Sequence, residues 1–197
     1  MRERHVTRSA GDTWCIFLDR DGVLNRRIDG DYVRTPDQFE WLPGALDAVV
    51  TLSAWAPYIV VVTNQQGVGK GLMTEADLDL VHETMCDSIR SLGGRVDAVL
   101  SCVHLESDRC PCRKPRAGLA QDWLDERPWV VPKQCLVVGD TWRDLAMARG
   151  LTPGRATTVW IDSEGAEPPK PAADWSYESL ADFAAAVSSP KLIEEAM

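Results

Sequence analysis

The sequence predicts an α/β fold, with a central parallel sheet covered by helices on both faces. Three observations carry that expectation. Continuous apolar runs such as Ile59-Val60-Val61-Val62 and Cys135-Leu136-Val137-Val138 lack polar alternation, the pattern of strands buried on both sides. Helical segments separate these runs, which calls for crossover connections and parallel strands. Residues able to do chemistry, namely Asp19, Thr63, Lys114 and Asp140, stand at or after strand ends, where open α/β sheets form their sites.

The elements follow in order. Residues 14–18 read as the first strand, and 22–42 as a long polar connection containing Gly30, Asp31 and Pro36. Pro43 opens a helix to about Ala54, with Leu46, Val49, Val50 and Leu52 on its apolar positions. The strand from Ile59 ends at Thr63-Asn64, and a glycine-rich turn follows. A helix then runs from about Glu75 to Leu92. Thr74 and Asp77 form its capping box, and Gly93-Gly94 end it. Strand Val96–Leu100, helix Ala117–Glu126, strand 135–138, helix Arg143–Arg149 and strand Thr157–Ile161 complete the alternation. The Pro- and charge-rich stretch 162–173 reads as a loop, and Tyr177–Val187 as a last helix. No large insertion follows the first acidic pair, so no separate cap domain is expected.

The 197 residues suit one domain spanning 1–197. Twenty-one basic against thirty acidic side chains give a net charge of -9, which disfavours a general nucleic-acid or anionic-membrane binder. No run approaches the ~18 apolar residues of a membrane span. The basic start Met1-Arg2-Glu3-Arg4-His5 is not followed by an apolar stretch with a cleavage site, so a cytoplasmic location is expected. Oligomeric state is not written in the sequence, and a monomer suffices.

Asp19-Arg20-Asp21-Gly22 is the most informative motif. Two carboxylates one residue apart leave an apolar strand and enter a glycine turn, an arrangement suited to divalent metal binding or covalent phosphoryl transfer. A lone Asp-x-Asp-Gly is an ordinary turn. Its weight comes from the ordered set that follows: Thr63-Asn64, Lys114, and Gly139-Asp140 with Asp144 four residues on.

In that order these motifs resemble the haloacid dehalogenase superfamily of aspartate-nucleophile phosphatases and its Rossmann-like fold. Phe17–Asn25, Tyr32-Val33, Pro36, Gln38-Phe39, Pro43-Gly44, Thr63–Gly67 and Cys112–Pro115 are similar to the subfamily of heptose 1,7-bisphosphate 7-phosphatases and histidinol-phosphatase domains. The resemblance covers about residues 14–161. It implies Asp19 as the nucleophile that forms an aspartyl-phosphate, and Asp21 as the group that protonates the leaving alcohol and later takes a proton from water. Asp19, Asp21 (through its carbonyl) and Asp140 would hold Mg²⁺, an ion that prefers oxygen ligands and retained waters, with Asp144 supporting them. Thr63 and the Asn64 N–H would hold phosphoryl oxygens while Lys114 neutralises charge. Arg113 is the expected selectivity residue, because its planar fork suits a second phosphate or sugar hydroxyls. Asn25, Gln65 and Tyr32 are weaker candidates for substrate contact.

Cys102-x-His104, five residues, then Cys110-x-Cys112 offers three thiolates and an imidazole, a complete tetrahedral shell for structural Zn²⁺. The 102–112 loop also resembles the zinc loop of the same subfamily, and it would aim Arg113 and Lys114. Gly67-Val68-Gly69-Lys70-Gly71 only mimics a P-loop. Asn64 stands where the first glycine belongs, and Gly71 where Ser or Thr should bind Mg²⁺.

The chain departs from the subfamily at Val103 (for Pro), at Val68–Gly71 (for an Ile-Ala-Arg-Gly type) and at Thr141 (for Lys or Arg). These put the sugar in doubt more than the reaction. The resemblance implies Mg²⁺-dependent removal of the 7-phosphate of a heptose bisphosphate. Histidinol-phosphate or another sugar phosphate, a noncatalytic scaffold and a DNA 3′-phosphatase are the alternatives. The acidic charge weighs against the last of these.

Overall fold

The computed structural model describes residues 13–162 and 171–188. The basic start of the chain and positions 163–170 of the expected loop lie outside the described residues. Six parallel strands form one sheet: β1 (Ile16–Leu18), β2 (Ile59–Asn64), β3 (Ala98–Cys102), β4 (Leu136–Gly139), β5 (Thr157–Ile161) and β6 (Trp175–Tyr177). Their spatial order is β3-β2-β1-β4-β5-β6. The chain therefore steps outward from β1 in one direction through β2 and β3, then in the other through β4, β5 and β6. The crevice between β1 and β4 is the switch point at which such sheets place ligands.

Strand side chains alternate between two cores, which explains why the strand sequences show no polar alternation. Ile16, Leu18, Ile59, Val61 and Val138 pack with α1 (Ala45–Trp55), α3 (Glu75–Ser91) and α6 (Leu180–Ser188) through Val49, Leu52, Met85, Ile89 and Phe183. Phe17, Val60, Val62 and Val137 pack on the other face with α4 (Gly118–Asp125) and α5 (Trp142–Arg149) through Trp123, Leu124, Met147 and Ala148. Thr74 caps α3 as expected: its hydroxyl accepts from the Asp77 N–H, and Asp77 accepts from the Thr74 N–H. Such a cap contributes about 1 kcal/mol.

Two elements differ from the sequence expectation. The glycine-rich segment is not only a turn. Gln66–Gly69 forms one helical turn, α2, and a Cβ on Gly69 would lie 2.6 Å from the Val103 carbonyl oxygen. The glycine is there to let this turn touch the cysteine loop. Tyr177 ends an edge strand, Trp175–Tyr177, instead of opening the last helix, which runs Leu180–Ser188. Asp174 anchors it by accepting bonds from the Thr158 N–H and hydroxyl, both 2.8 Å, and from Arg155. Among the described residues no connection builds a large cap. The 22–42 segment carries a single 3-10 turn, Pro36–Gln38.

Candidate active site

Parallel register brings the first acid to its partners. Leu18 pairs with Val138 and Val61, so Asp19, Asp140 and Thr63 emerge together at the carboxyl ends of three adjacent strands. Lys114 arrives from the connection after β3. Its ammonium lies 2.7 Å from Asp19 Oδ1 and 2.7 Å from Asp144 Oδ1, and it donates to the Val62 carbonyl at 2.8 Å. All three of its donors are thus used, and the lysine is only 3 % exposed. The two carboxylates hold its pKa well above the usual lysine value, against the opposing effect of burial. Asp144 Oδ2 accepts from the Thr141 N–H and hydroxyl at 3.1 and 2.5 Å, so Asp144 ties the lysine to the start of α5. A Cβ on Gly139 would come within 2.3 Å of Asp144 Cβ. Only glycine permits that approach.

One buried lysine does not balance Asp19, Asp140 and Asp144. Burial pushes Asp19 up to about 7, reinforced by the negative charge of Asp144. Burial also pushes Asp140 up to about 8, reinforced by Asp19. Asp140 Oδ1 is buried with no hydrogen-bond partner. One oxygen from each of Asp19, Asp140 and Asp144 can be chosen so that all lie within 4.8 Å of one another. An orphaned acceptor in a surplus of negative charge is what a hard divalent cation requires. The Arg27 guanidinium sits at the same point, donating to Asp140 Oδ2 at 2.6 Å and to the Asp21 carbonyl at 3.2 Å. Both acceptors belong to the Mg²⁺ ligand set expected from the sequence. Gly22, at φ +91°, makes the turn, and a Cβ there would strike Asp140 Oδ2.

Asp21 sits in a different environment. Burial raises its pKa, but the Arg20 charge and hydrogen bonds from Asn25, Arg20 and Gln65 outweigh that and lower it. Arg20 donates from Nη2 to both carboxylate oxygens at 2.9 and 3.0 Å. Asn25 Nδ2 donates to Oδ1 at 2.9 Å, and Gln65 Nε2 to Oδ2 at 2.7 Å. These bonds correct the expectation for Asn25 and Gln65. Both are fully buried and absent from the pocket wall. They brace Asp21 from behind instead of facing substrate. Gln65 also donates to the Thr63 hydroxyl oxygen at 2.9 Å, which leaves that hydroxyl its proton for a phosphoryl oxygen.

A pocket of about 280 Å³ opens over this cluster, lined by Asp19, Asp21, Thr63, Asn64, Lys114 and residues of the 22–42 segment. Asn64 reaches it, yet its side chain is committed elsewhere. It donates to the Lys114 carbonyl at 3.1 Å and accepts from the Lys114 N–H at 3.0 Å, stitching the lysine loop to β2. Arg113 lines the pocket as expected, and its buried Nη1 has no partner.

The four cysteine-loop side chains converge. Sγ–Sγ distances are 3.4 Å for Cys102–Cys110, 2.9 Å for Cys110–Cys112 and 3.1 Å for Cys112–Cys102. His104 Nδ1 lies 3.2 Å from Cys112 Sγ and 3.8 Å from Cys102 Sγ. Sulfurs around one zinc at 2.3 Å would be about 3.8 Å apart. The cage is slightly contracted and otherwise fits the ion.

Comparison with known proteins fixes the lineage. Over 182 residues the chain is 48 % identical to the D-glycero-alpha-D-manno-heptose-1,7-bisphosphate 7-phosphatase of Mycobacterium tuberculosis, a match covering 92 % of this chain and 95 % of that protein. The chain belongs to the heptose-bisphosphate phosphatase family of the haloacid dehalogenase superfamily. A beta-anomer counterpart from Bordetella bronchiseptica is 40 % identical over 133 residues, 68 % of this chain and 73 % of that one. The crystal structure of the B. bronchiseptica D,D-heptose bisphosphate phosphatase complexed with magnesium and phosphate superposes with a TM-score of 0.76 at 32 % identity. That match covers 92 % of this chain and 98 % of that one. No family model matches the chain.

Within this phosphatase family frame, sequence reasoning missed four side chains. Arg27 and Arg143 line the pocket. Arg20 and His82 lie behind it, 3.0 Å apart. His82 carried a visible signal: it interrupts the apolar stripe Leu78, Val81, Met85, Ile89 of α3. No described helix is long and apolar enough to cross a membrane.

Proposed function

We propose that this chain removes the 7-phosphate of D-glycero-α-D-manno-heptose 1,7-bisphosphate by Mg²⁺-dependent hydrolysis, in one catalytic domain. The convergence of Asp19, Thr63 and Lys114 on one pocket, with an Asp140 oxygen within 4.8 Å of Asp19, carries the reading. The alpha anomer is chosen because the 48 % identical relative, matched over nearly its whole length, bears that name.

In the first step an Asp19 oxygen bonds to phosphorus and the bond from phosphorus to the sugar oxygen breaks. Asp21 in its protonated form, the minority one given the donors that hold its pKa low, gives its proton to the leaving oxygen. In the second step water attacks the phosphoryl group, Asp21 takes the water's proton, and inorganic phosphate leaves Asp19. The Thr63 hydroxyl holds a phosphoryl oxygen, while the Lys114 ammonium, held by Asp19, Asp144 and the Val62 carbonyl, offsets phosphoryl charge at short range; their fixed positions supply most of the stabilisation. Asp19 and Asp140 carboxylates with the Asp21 carbonyl suit Mg²⁺, which when bound neutralises phosphoryl charge and keeps the attacking carboxylate ionised. Cys102, His104, Cys110 and Cys112 suit a structural Zn²⁺ that orders the approach to Arg113 and Lys114.

The test is a phosphate-release panel with Mg²⁺: the alpha and beta bisphosphates, the 7-monophosphate and histidinol phosphate. The expected result is the highest kcat/KM on the alpha bisphosphate, with phosphorus NMR showing the 1-phosphate retained. A preference for histidinol phosphate, or silence from folded protein saturated with Mg²⁺, overturns the assignment.

A further inference from the structure

A fully buried arginine needs an explanation. Arg20 has no exposed surface, yet it stands between the two catalytic aspartates in sequence. Burying a guanidinium is costly unless every edge of it is bonded. Nε and Nη2 spend themselves on the Asp21 carboxylate at 2.9 to 3.3 Å. Nη1 lies 3.0 Å from His82 Nε2. A guanidinium can only donate, so Nε2 must be the unprotonated nitrogen and His82 is neutral. Burial first, then the Arg20 charge, lowers the His82 pKa to about 4, in agreement with that tautomer.

The histidine is itself anchored. It lies on α3 among Leu78, Val81 and Met85, and is 8 % exposed. A rigid line therefore runs from the core face of α3 through His82 and Arg20 to the carboxylate of Asp21. The other braces of Asp21 are amides, Asn25 and Gln65. Among the described residues Arg20 is the cation that bonds the Asp21 carboxylate, and it grips both oxygens; Arg27 reaches only the Asp21 backbone carbonyl.

We infer that His82 and Arg20 are positioning residues for the proton transfers of Asp21: His82 fixes the far edge of the guanidinium, and the guanidinium fixes the orientation of the carboxylate. The inference rests on the phosphatase reading above and on Asp21 as its acid. Neither residue touches substrate, since neither lines the pocket. Removing the His82 acceptor leaves a buried donor unpaired. The guanidinium then shifts toward a new partner and Asp21 turns with it.

Leaving-group dependence separates positioning from mere support of the fold. A sugar alkoxide leaves poorly and needs the Asp21 proton, whereas a p-nitrophenolate leaves without one. His82→Leu should cut kcat on the sugar phosphate by about 10–100-fold, within the range of general acid catalysis. On p-nitrophenyl phosphate it should cut kcat by about threefold or less, with KM little changed on either. His82→Gln, whose Oε1 can accept from Arg20, should restore most of the loss. Asp21→Asn serves as the internal control, because it must show the same leaving-group selectivity if Asp21 is the acid.

Equal losses of His82→Leu on both esters, or no rescue by His82→Gln, overturn the positioning role while Asp21→Asn still upholds the reaction. If Asp21→Asn shows no selectivity, the acid assignment falls and the inference falls with it. Thermal unfolding of His82→Leu and His82→Gln together guards against misfolding, since the rescue must appear between two variants of comparable stability.

Discussion

The strand-end carboxylates and the cysteine loop are both clusters of side chains that could hold a metal ion, and they are built in opposite ways. Asp19 and Asp140 follow directly from paired strands, and the Asp19 N–H donates to the Val138 carbonyl at 2.9 Å. The sheet register sets their separation, and nothing about it depends on an ion. In the cysteine loop only Cys102 belongs to a strand. The rest lies on irregular backbone with a 3-10 turn at Glu106–Asp108 and a left-handed Arg109 at φ 48°. There the donors hold one another in place, so ordering and metal binding are coupled. The carboxylate cluster opens onto a pocket, whereas the cysteine cage closes on itself with four donors and no vacancy. One region is set by the sheet before any ligand arrives; the other is a four-donor cage that the proposed Zn²⁺ would organise.

The sharpest way to break this contrast is to remove one donor from each. Asp19→Asn should lower turnover on the order of 10⁵-fold, as loss of a nucleophile does. Without Mg²⁺ its melting temperature should stay level or rise, because the substitution removes one charge from an overcharged site. Activity near the parent level would remove Asp19 as nucleophile, and a large loss of stability would deny that the sheet alone builds the site.

Cys110→Ser should behave in the reverse sense. Zinc content measured by metal analysis should fall, and the melting temperature should drop by roughly 10 °C, several kcal/mol for a chain of this size. Activity should fall less than for Asp19→Asn, chiefly through KM, because Arg113 and Lys114 follow Cys112 directly. Lys114 keeps its second tether, the paired bonds between Asn64 and its backbone. Unchanged zinc content would refute the ligand set.

The same contrast explains what the sequence revealed. Strand-end chemistry was legible because it is local. An apolar run says where a strand stops, and Asp19, Thr63 and Asp140 stand at that stop. The convergence of Cys102, His104, Cys110 and Cys112 was legible because their identity and spacing alone describe a shell. What escaped was the packing behind the acids. Asn25 and Gln65 are polar residues close to motif positions, and residue type does not say on which side of Asp21 they fall. Arg20 and His82 are 62 positions apart in the chain, and only the packing of α3 on the sheet brings them together. α2 has two glycines in four residues. It is held by its contact with the cysteine loop, which helix propensity does not record. β6 is three residues on an edge, fixed by Asp174 reaching across to Thr158.

The last difference between the regions is their response to protons, and its sign can be worked out. Asp19 and Asp140 titrate near 7 and 8 in the folded chain without metal, above the ordinary carboxylate value of about 4. Between pH 4 and 8 the folded state therefore binds more protons than the unfolded state, and its stability falls as pH rises through that window. His82 acts oppositely. Its folded value is lowered from 6.5 to about 4, so its contribution is complete above pH 6.5 and is lost as pH falls toward 4. Above pH 6.5 the His82 contribution is constant, and the carboxylates vary together with the Cys110 thiol, which burial raises but hydrogen bonds with Cys112 and Cys102 bring down to about 7. The cysteine lies outside the Mg²⁺ ligand set and does not enter the Mg²⁺ effect. Mg²⁺ needs the carboxylates ionised, so protons compete with it. The rise in melting temperature produced by saturating Mg²⁺ should be larger at pH 8.5 than at pH 6.5, by a few degrees on the scale of about 2–4 °C per kcal/mol. Asp140→Asn should flatten that dependence. A Mg²⁺ effect equal at both pH values would show that the ion binds elsewhere, and that the surplus charge beneath the pocket is balanced by Arg27 instead.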